Sequence, residues 1–303
     1  MYLSVVICTY NRGKYLPMVL DSLKKQNWPV SEYEVILINN NSPDDTDKII
    51  QSYKADNPGF NLRYFIEYNQ GISYARNRGV NESHGEIIVF IDDDETVEPH
   101  FLEAINHFFE TYPDGAISAG PVIPVYEAEK PQWLSHYTMR LITGEYNKGN
   151  KIKLLSPKDY PGTGHACFRK SLFEKYGDFK TNLGRKGDSL MGAEDKDFFL
   201  RLMEGGEKCY YVPEAKIYHH IPAYKLTDEF FDKLTYAMGK SERVRTLNLS
   251  KGSFYKRVIM EGVKWGASLV LWLGYALKLQ PYKGNKLILF RKNLTKGLLG
   301  YTH

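Results

Sequence analysis

The chain has few cysteines and no long apolar run. Its 303 residues include only three cysteines, Cys8, Cys167 and Cys209. An odd number of cysteines without a C-x-x-C spacing argues against a disulfide framework and against a cysteine zinc site, so we expect a reducing compartment. The longest apolar stretch, Trp265 to Leu277, has 13 residues. It is shorter than the roughly 20 residues that a membrane-spanning helix needs.

Common nucleotide-binding signatures are also missing. No G-x-G-x-x-G follows the first predicted strand, where the sequence reads Thr9-Tyr10-Asn11-Arg12, so a dinucleotide-binding dehydrogenase is not indicated. Gly239-Lys240-Ser241 has the ending of a P-loop, but Leu234 stands where the first glycine of that motif belongs. The first residues lack the basic start of a signal peptide, which favours a cytoplasmic location.

Composition is that of an ordinary globular protein, with 25% charged and 43% hydrophobic residues. The net charge of +4 is unevenly distributed, because residues 240–303 hold 13 basic side chains and only two acidic ones. A basic segment that is also apolar suits an anionic membrane surface better than nucleic acid. We therefore predict no nucleic-acid partner and a peripheral contact of residues 257–303 with the inner face of the cell membrane. A helical layer packed on the catalytic domain is the equal alternative.

Apolar strands alternate with amphipathic helices over the first hundred residues. The patterns predict strands at 4–8, 34–38, 62–66 and 86–91, and helices at 16–23, 44–53 and 72–80. This order indicates an α/β fold with a mainly parallel sheet and helices on both faces. Polar residues at the strand ends then meet at one edge of the sheet, where such sheets bind ligands.

The rest of the chain suggests a division into a catalytic domain and an extension. Residues 121–161 contain several prolines and predict irregular structure, and residues 184–188 predict a mobile loop. Helical patterns dominate from Thr227 onward. The predicted division is a catalytic domain at 1–225, with a nucleotide-binding half at 1–120 and an acceptor half at 121–225, and a helical extension at 226–303.

The acidic run Asp92-Asp93-Asp94-Glu95 at the end of an apolar strand is the sharpest signal for chemistry. Four adjacent carboxylates repel one another unless a cation neutralises them, and hard divalent ions such as Mg²⁺ or Mn²⁺ prefer carboxylate and phosphate oxygens. The run therefore predicts a metal with a diphosphate ligand. A solvated acidic turn is the alternative.

Two further segments offer reactive side chains. Glu194 and Asp195 open a predicted helix, where a carboxylate can act as a general base, although acidic residues also favour helix N-termini for capping and dipole reasons. His219 and His220 end a predicted strand, and histidine is a common ligand of transition metals. A structural role for the histidines is about equally favoured.

These segments together resemble one enzyme family. The ordered set is Ser4 to Arg12, Asn39 to Ser42, Asn69 to Gly71, Ala75 to Asn77, Phe90 to Asp94, Phe168-Arg169, Gly192 to Asp195 and Tyr218 to His220. It resembles family 2 glycosyltransferases with the GT-A fold, of the bacterial surface-polysaccharide type, over residues 3–245. The resemblance implies a nucleotide-sugar donor with a UDP-sugar as the first candidate, a glycan or lipid-linked acceptor, Mn²⁺ or Mg²⁺, and inversion at the anomeric carbon.

The resemblance also implies roles for individual residues. Catalytic roles fall to Asp195 as the base and to Glu194 beside it. Metal ligation falls to Asp94, Asp92 and His219. Donor binding falls to Thr9, Tyr10, Arg12, Asn39, Arg76, Asp92 and Asp93. Tyr10 corresponds to the aromatic that stacks on the base, and Asn39 stands where the family usually has an aspartate. His165 and Trp133 are the candidates for contacts with the sugar or the acceptor.

Two rival functions remain open at the level of sequence. A sugar-phosphate nucleotidyltransferase shares an α/β nucleotide fold and a metal, but usually shows a basic, glycine-rich loop after its first strand. A catalytically dead glycan-binding or scaffold protein is the non-enzymatic alternative. The intact Asp92, Asp94 and Asp195 argue against the second.

Overall fold

The computed structural model describes residues 1–157, 159–187 and 189–302, so Asp188, the last residue of the predicted mobile loop, lies outside the described residues. The strands are β1 Leu3–Thr9, β2 Tyr33–Asn39, β3 Leu62–Ile66, β4 Ile87–Asp92, β5 Glu95–Val97, β6 Gly115–Ala119, β7 Val122–Tyr126, β8 Lys153–Leu154, β9 Ala166–Arg169, β10 Lys208–Tyr211 and β11 Ile217–Ile221. The helices are α1 Leu16–Lys24, α2 Thr46–Asp56, α3 Ile72–Glu82, α4 Phe101–Thr111, α5 His136–Thr143, α6 Ser171–Tyr176, α7 Glu194–Glu204, α8 Asp228–Leu249, α9 Lys251–Leu277 and α10 Pro281–Leu299.

The chain divides into two compact units. The first contains residues 1–125, 145–181 and 194–220, and the second contains residues 126–144, 182–193 and 221–303. The second unit thus includes two segments that precede the C-terminal helices in the sequence.

Among the described residues, eight strands of the first unit form one sheet in the order β3-β2-β1-β4-β9-β6-β10-β8. Strands β1 to β4 are parallel neighbours, β6 and β10 are also parallel, and β9 runs antiparallel between β4 and β6. A smaller sheet has the order β5-β11-β7. The predicted α/β fold with a mainly parallel sheet is confirmed.

Apolar side chains cover both faces of the large sheet. On one face Leu16, Val19 and Leu20 of α1 and Phe108 of α4 pack with the alternate strand residues of β1 and β2. On the other face α3, α6 and α7 supply a cluster rich in phenylalanine, in which the rings of Phe173 and Phe198 lie 4.9 Å apart. Every residue of β2 is buried, and its central residues 35–38 form a continuous apolar run rather than an alternating pattern.

The prediction of irregular structure over 121–161 is wrong in part. This stretch contains β7, α5 and the short β8. Helix α5 begins with a capping box in which Ser135 and Thr138 bond reciprocally, and it ends at Gly144 in a left-handed conformation. Pro124 lies within β7, and the other prolines of this stretch lie outside the three elements. The prolines interrupt the hydrophobic periodicity from which strands and helices are predicted.

Helices α8, α9 and α10 form most of the second unit. Their apolar cluster includes Leu234, Leu287, Phe290 and Leu294. Helix α8 is capped by the Thr227 hydroxyl, which accepts from the Phe230 amide. In the described part of the chain, no helix is both long and apolar enough to cross a membrane.

Candidate functional site

The candidate site begins where β1 and β4 end side by side. Cys8 of β1 is paired with Asp92 of β4 in a parallel register, so the segments that follow the two strands leave the sheet at the same edge. One segment carries Thr9 and Arg12, and the other carries Asp93 and Asp94. The sheet therefore brings together residues that are more than 80 positions apart, as the predicted fold requires.

Arg12 joins the two buried carboxylates of this edge. Its guanidinium lies 2.9 Å from Asp93 Oδ1 and 2.6 Å from Asp94 Oδ2. The Thr9 hydroxyl donates to Asp93 Oδ2 at 2.8 Å. Burial raises the pKa of Asp93 to about 6, against the opposing effect of Arg12. Repulsion within the acidic run is thus reduced by an arginine of the protein itself, which the sequence reasoning did not foresee.

The histidine pair divides into two roles. Antiparallel pairing of β11 with β5 places His219 opposite Glu95. The Nε2 atom of His219 lies 3.2 Å from Asp94 Oδ2. The backbone amide of His220 donates to the Asp94 carbonyl at 2.8 Å, and its ring nitrogen lies 3.1 Å from the Thr96 hydroxyl. Of the two imidazoles, it is therefore His219 that meets the acidic run.

A divalent cation fits the chemistry of this pair, since a carboxylate oxygen and an imidazole nitrogen both suit Mn²⁺. The described residues contain no group of three or more histidine, cysteine, aspartate or glutamate side chains arranged to hold a metal. Ions of this class are often held by one or two protein carboxylates together with substrate phosphates. The third predicted ligand, Asp92, is about half exposed, and its Oδ1 lies 3.7 Å from the Arg76 guanidinium.

Arg76 connects the acidic edge to α7. It is buried on α3, and its guanidinium donates to Glu194 Oε1 at 2.7 Å. Burial alone would lower the pKa of Arg76, but the charges of Glu194 and Asp92 outweigh burial and raise it. The adjacent Asp195 is partly exposed, and its Oδ1 accepts from the Lys196 amide at 2.6 Å. The Glu-Asp pair thus has one residue fixed inward and one accessible.

Asn39, the last residue of β2, forms hydrogen bonds through both the oxygen and the nitrogen of its side-chain amide. Its Oδ1 accepts from the Ser42 backbone at 2.9 Å, and its Nδ2 donates to the Tyr64 hydroxyl at 2.8 Å. Its neighbour Asn40 donates to the Asn69 carbonyl and accepts from a backbone amide of the same loop. These bonds fix the loops at the end of β2. Tyr10, the predicted base-stacking residue, is partly exposed after β1.

The contacts of two residues at the site were not predicted from the sequence, although Glu95 belongs to the acidic run. Gly164, in the 3-10 helix Thr163–His165, passes so close to Asp92 that a Cβ atom would collide with its carboxylate. Glu95, the last acid of the run, is buried, and it accepts from the Asp92 amide at 2.9 Å. Only the fold shows these roles, because each depends on a single close approach.

The predicted acceptor contacts lie in different units. His165 is buried in the first unit, where its Nε2 lies 3.3 Å from the Gly162 amide and its ring 5.7 Å from that of Tyr146. Trp133 belongs to the second unit. There its ring packs against Phe231 at 5.2 Å and lies 4.6 Å from the Lys286 ammonium. Both side chains have structural contacts in addition to any contact with a ligand.

The chain matches the family model described as glycosyl transferase family 2 over residues 4–177. That match covers more than half of the sequence. The chain belongs to glycosyltransferase family 2. The matched region contains Thr9, Asn39 and the acidic run, whereas Asp195 and His219 lie beyond it.

Curated relatives are also glycosyltransferases. The glucosyl-dolichyl phosphate glucuronosyltransferase of Haloferax volcanii is 26% identical over 86% of this chain and 82% of its own length. The succinoglycan biosynthesis protein ExoM of Rhizobium meliloti is 26% identical over 80% of this chain and 74% of its own length. These relatives are a glycosyltransferase of an archaeon and a protein of succinoglycan biosynthesis in a bacterium.

Solved structures show that the fold is GT-A. The mannosyltransferase PcManGT from Pyrobaculum calidifontis, in complex with GDP-Man and Mn²⁺, has a TM-score of 0.67 at 16% identity, over 99% of this chain and 88% of that one. Staphylococcus aureus TarS 1-349 in complex with UDP-GlcNAc has a TM-score of 0.56 at 16% identity, over 100% of this chain and 93% of that one. The predicted fold and family are both confirmed.

Proposed function

We propose that this glycosyltransferase moves a sugar from a nucleoside-diphosphate sugar, with a UDP-sugar as the first candidate, to a hydroxyl of a glycan or lipid-linked acceptor in polysaccharide biosynthesis. The observation that carries the proposal is the cluster at the carboxyl edge of the sheet, where Arg12 bonds Asp93 and Asp94 and Arg76 bonds Glu194. Opposite charges in one cleft suit a donor that carries both phosphates and polar hydroxyls.

A divalent metal is part of the proposal. Asp94 and His219 would hold it, with Asp92 near the ribose, and the diphosphate would complete its coordination. Mn²⁺ or Mg²⁺ supplies positive charge that offsets the negative charge developing on the leaving diphosphate. Two relatives in fold, PcManGT and GalNAc-T7, have structures that contain Mn²⁺, which supports this choice.

The remaining donor contacts follow from the ends of the strands. Tyr10 is partly exposed and offers its ring to the base, and Asn39, which is buried with its amide bonded to Ser42 and Tyr64, would position the loop beside the base edge. Arg12 and Arg76 supply positive charge close to the phosphates. Thr9 and Asp93 act behind them, because their mutual hydrogen bond fixes the segment that carries Arg12.

Asp195 is proposed as the general base. It removes the proton of the acceptor hydroxyl while the acceptor oxygen forms a bond to the anomeric carbon and the bond from that carbon to the diphosphate oxygen breaks. Attack from the face opposite the leaving group inverts the anomeric configuration. Glu194 positions this step, since its ion pair with Arg76 fixes the first turn of α7.

The relatives favour transfer over the rival functions. The Haloferax volcanii relative is a glucuronosyltransferase rather than a nucleotidyltransferase, and a scaffold protein would have no need for a base next to an ion-paired glutamate. A complete acidic run and an accessible Asp195 therefore support an active enzyme.

The test is nucleoside-diphosphate release from a panel of UDP-, GDP- and dTDP-sugars with Mn²⁺, Mg²⁺ or EDTA. We expect metal-dependent release from one donor class. Asp195→Asn should abolish release while metal-dependent UDP binding is retained, since the base acts on the attacking hydroxyl, in this assay that of water, and not on the donor. Glu204→Gln, an exposed acid at the other end of α7, is the matched control. If Asp195→Asn retained near wild-type turnover, Asp195 could not be the general base.

A further inference from the structure

Helix α9 has an unusual outer face. Six large apolar side chains recur along it at spacings of three, four or seven residues: Tyr255, Ile259, Val263, Val270, Leu273 and Leu277. At about 100° per residue they fall within an arc of about 80°. All are exposed, from 55% for Leu273 to 86% for Leu277. They form one continuous apolar stripe, the α9 stripe, that no part of the described chain covers.

The opposite face of α9 is polar and buried. The helix's buried residues are Glu261 and Ser268. Glu261 accepts from Arg257 at 2.8 Å and from Arg291 of α10 at 3.0 Å, and Arg291 also donates to Ser268 at 3.1 Å. Arg257 in turn lies 3.0 Å from Glu242 of α8. Ion pairs and hydrogen bonds thus attach α9 to its neighbours through its charged side.

Helix α9 therefore has the opposite orientation of its faces from a helix on the surface of a water-soluble bundle, with its apolar side chains outward and its charged side chains inward. Such a helix normally turns its apolar stripe to the core and its charges to water. Rotation of α9 about its axis is opposed by the buried ion pairs, because breaking them would leave charges without partners. The stripe thus stays outward, where a contiguous apolar patch of this length marks an interaction surface.

A groove beside the stripe adds to the apolar surface. It lies between α9 and α10, has a volume of about 460 Å³, and is lined by Leu269, Trp272, Ile288 and Leu289 with Asn285 and Lys292. Trp272 Nε1 donates to Asn285 at 2.9 Å. A tryptophan beside aliphatic side chains and a lysine is typical of the boundary between water and the acyl region of a membrane.

Charge decides which partner fits this surface. Residues 251–302 contain ten basic side chains and a single acidic one, Glu261, which is buried. Lys251, Lys256, Lys278 and Lys292 are exposed at or near the stripe. A second copy of the chain would bring a second set of lysines against the first. An anionic lipid surface complements both the lysines and the apolar stripe.

We propose that the α9 stripe, with the groove beside it, is a docking surface for an anionic phospholipid bilayer, on which α9 lies parallel to the membrane plane. Apolar side chains of the stripe enter the boundary of the acyl region, and the lysines remain at the level of the phosphates. The inference rests on the geometry of α9 and goes beyond the sugar-transfer function proposed above.

The experiment is co-sedimentation of the full chain with phosphatidylglycerol–phosphatidylcholine vesicles and with pure phosphatidylcholine vesicles across a salt series. We expect binding to the anionic vesicles that weakens as salt rises. The double variant Val263→Asp/Val270→Asp should lower the partition coefficient between vesicles and solution about a hundredfold. The reason is that the two substitutions remove the free energy gained when two valine side chains transfer from water into the membrane. The variant Lys256→Gln/Lys278→Gln/Lys292→Gln should lower it about fivefold per lysine.

Val30→Asp is the matched control, because Val30 is an exposed valine in the other unit. It should leave vesicle binding unchanged, and metal-dependent UDP binding should be equal in all variants. If the aspartate variant fails to fold, the lysine variant, whose side chains are exposed, still decides the question. The proposal would be overturned by equal binding to neutral and anionic vesicles, or by unchanged vesicle binding of the lysine variant. It would also be overturned if the wild-type chain formed a dimer in the absence of vesicles and Val263→Asp/Val270→Asp abolished that dimer.

Discussion

Arg12 is the residue on which the charge balance of the donor site depends. It forms ion pairs with two buried carboxylates, and it contacts Asp94 Oδ2, the same oxygen that His219 approaches. An arginine in this place keeps two adjacent acids compatible with the fold before a donor arrives. In the proposed complex Arg12 would exchange Asp94 for a phosphate oxygen, a similar charge-assisted partner.

The role of Asp94 can be tested by a single substitution. We expect Asp94→Asn to abolish metal-dependent UDP binding in calorimetry, because a neutral amide oxygen binds a hard divalent cation more weakly than a charged carboxylate does. Asp92→Asn should weaken binding less, since Asp92 is half exposed and lies at 3.7 Å from its cationic partner. Asp114→Asn, an exposed acid paired with Lys208, serves as the control. Unchanged binding by Asp94→Asn would contradict the assignment.

Glu34 supplies a pH-dependent contribution to stability far from this site. It is buried on β2 and accepts from Ser4 at 2.7 Å, from the His84 amide at 2.7 Å and from Arg63 at 2.8 Å. Burial acts to raise the pKa of Glu34, but these three donors outweigh burial and lower it. A lowered pKa in the folded state means that the contribution is complete above the unfolded value and is lost as pH falls through the folded value.

We therefore expect Glu34→Gln to lower the free energy of unfolding at pH 7 by about 2 kcal/mol, the contribution of hydrogen bonds to a charged group. The deficit relative to wild type should shrink below the ordinary glutamate pKa of 4.5. Urea denaturation at a series of pH values measures both. Glu32→Gln, an exposed acid in the preceding 3-10 helix, is the control. If the difference in free energy of unfolding between Glu34→Gln and wild type did not vary with pH, the negative charge of Glu34 would not be the source of its contribution to stability.

Close contact between helices α8 and α10 depends on two glycines. A Cβ atom at Gly239 would overlap the backbone of Leu294, and one at Gly297 would overlap the carbonyl of Tyr236 and lie 2.8 Å from the Lys240 amide. Backbone atoms cannot move aside as a flexible side chain can. The two helices therefore approach each other at a distance that only glycine permits at these positions.

Gly297→Ala should accordingly destabilise the chain by about 2 kcal/mol, the range found for overpacked sites. Gly262→Ala in α9 is the matched control, because no atom lies within 4 Å of the added methyl group. This control should be neutral or stabilising by up to about 1 kcal/mol, since alanine is the better helix former. Thermal unfolding of the two variants gives the comparison. A loss of equal size in both would assign the effect to glycine flexibility rather than to helix contact.

At the scale of the whole molecule, ligand and metal should stabilise the chain together. We expect UDP with Mn²⁺ to raise Tm, since a ligand at about a hundred times its Kd contributes about 2.7 kcal/mol. UDP with EDTA should give little or no shift. EDTA alone should leave Tm unchanged, because Arg12 already pairs with Asp94. A fall in Tm with EDTA alone would indicate that the metal is part of the folded protein rather than a partner of the donor.

The sequence by itself determined the layered α/β fold and the location of the site along the chain. Strands β1, β2 and β4 each have an apolar centre and end in a polar residue, and a pattern of this kind is local enough to be recognised in the sequence. The acidic run and the Glu-Asp pair were visible for the same reason. Helix α4 and strand β6 were not assigned from the sequence, although α4 contributes Phe101, Leu102 and Phe108 to the core.

Tertiary structure alone decided which partner each charged residue has and which way α9 faces. Arg12 meets Asp94, 82 positions away, only because β1 and β4 are adjacent, and Arg76 meets Glu194 across 118 positions. The apolar run of α9 predicts a buried helix as readily as an exposed one. Its orientation is set by the pairing of Glu261 with Arg257 and Arg291, because buried charges tolerate few alternative arrangements.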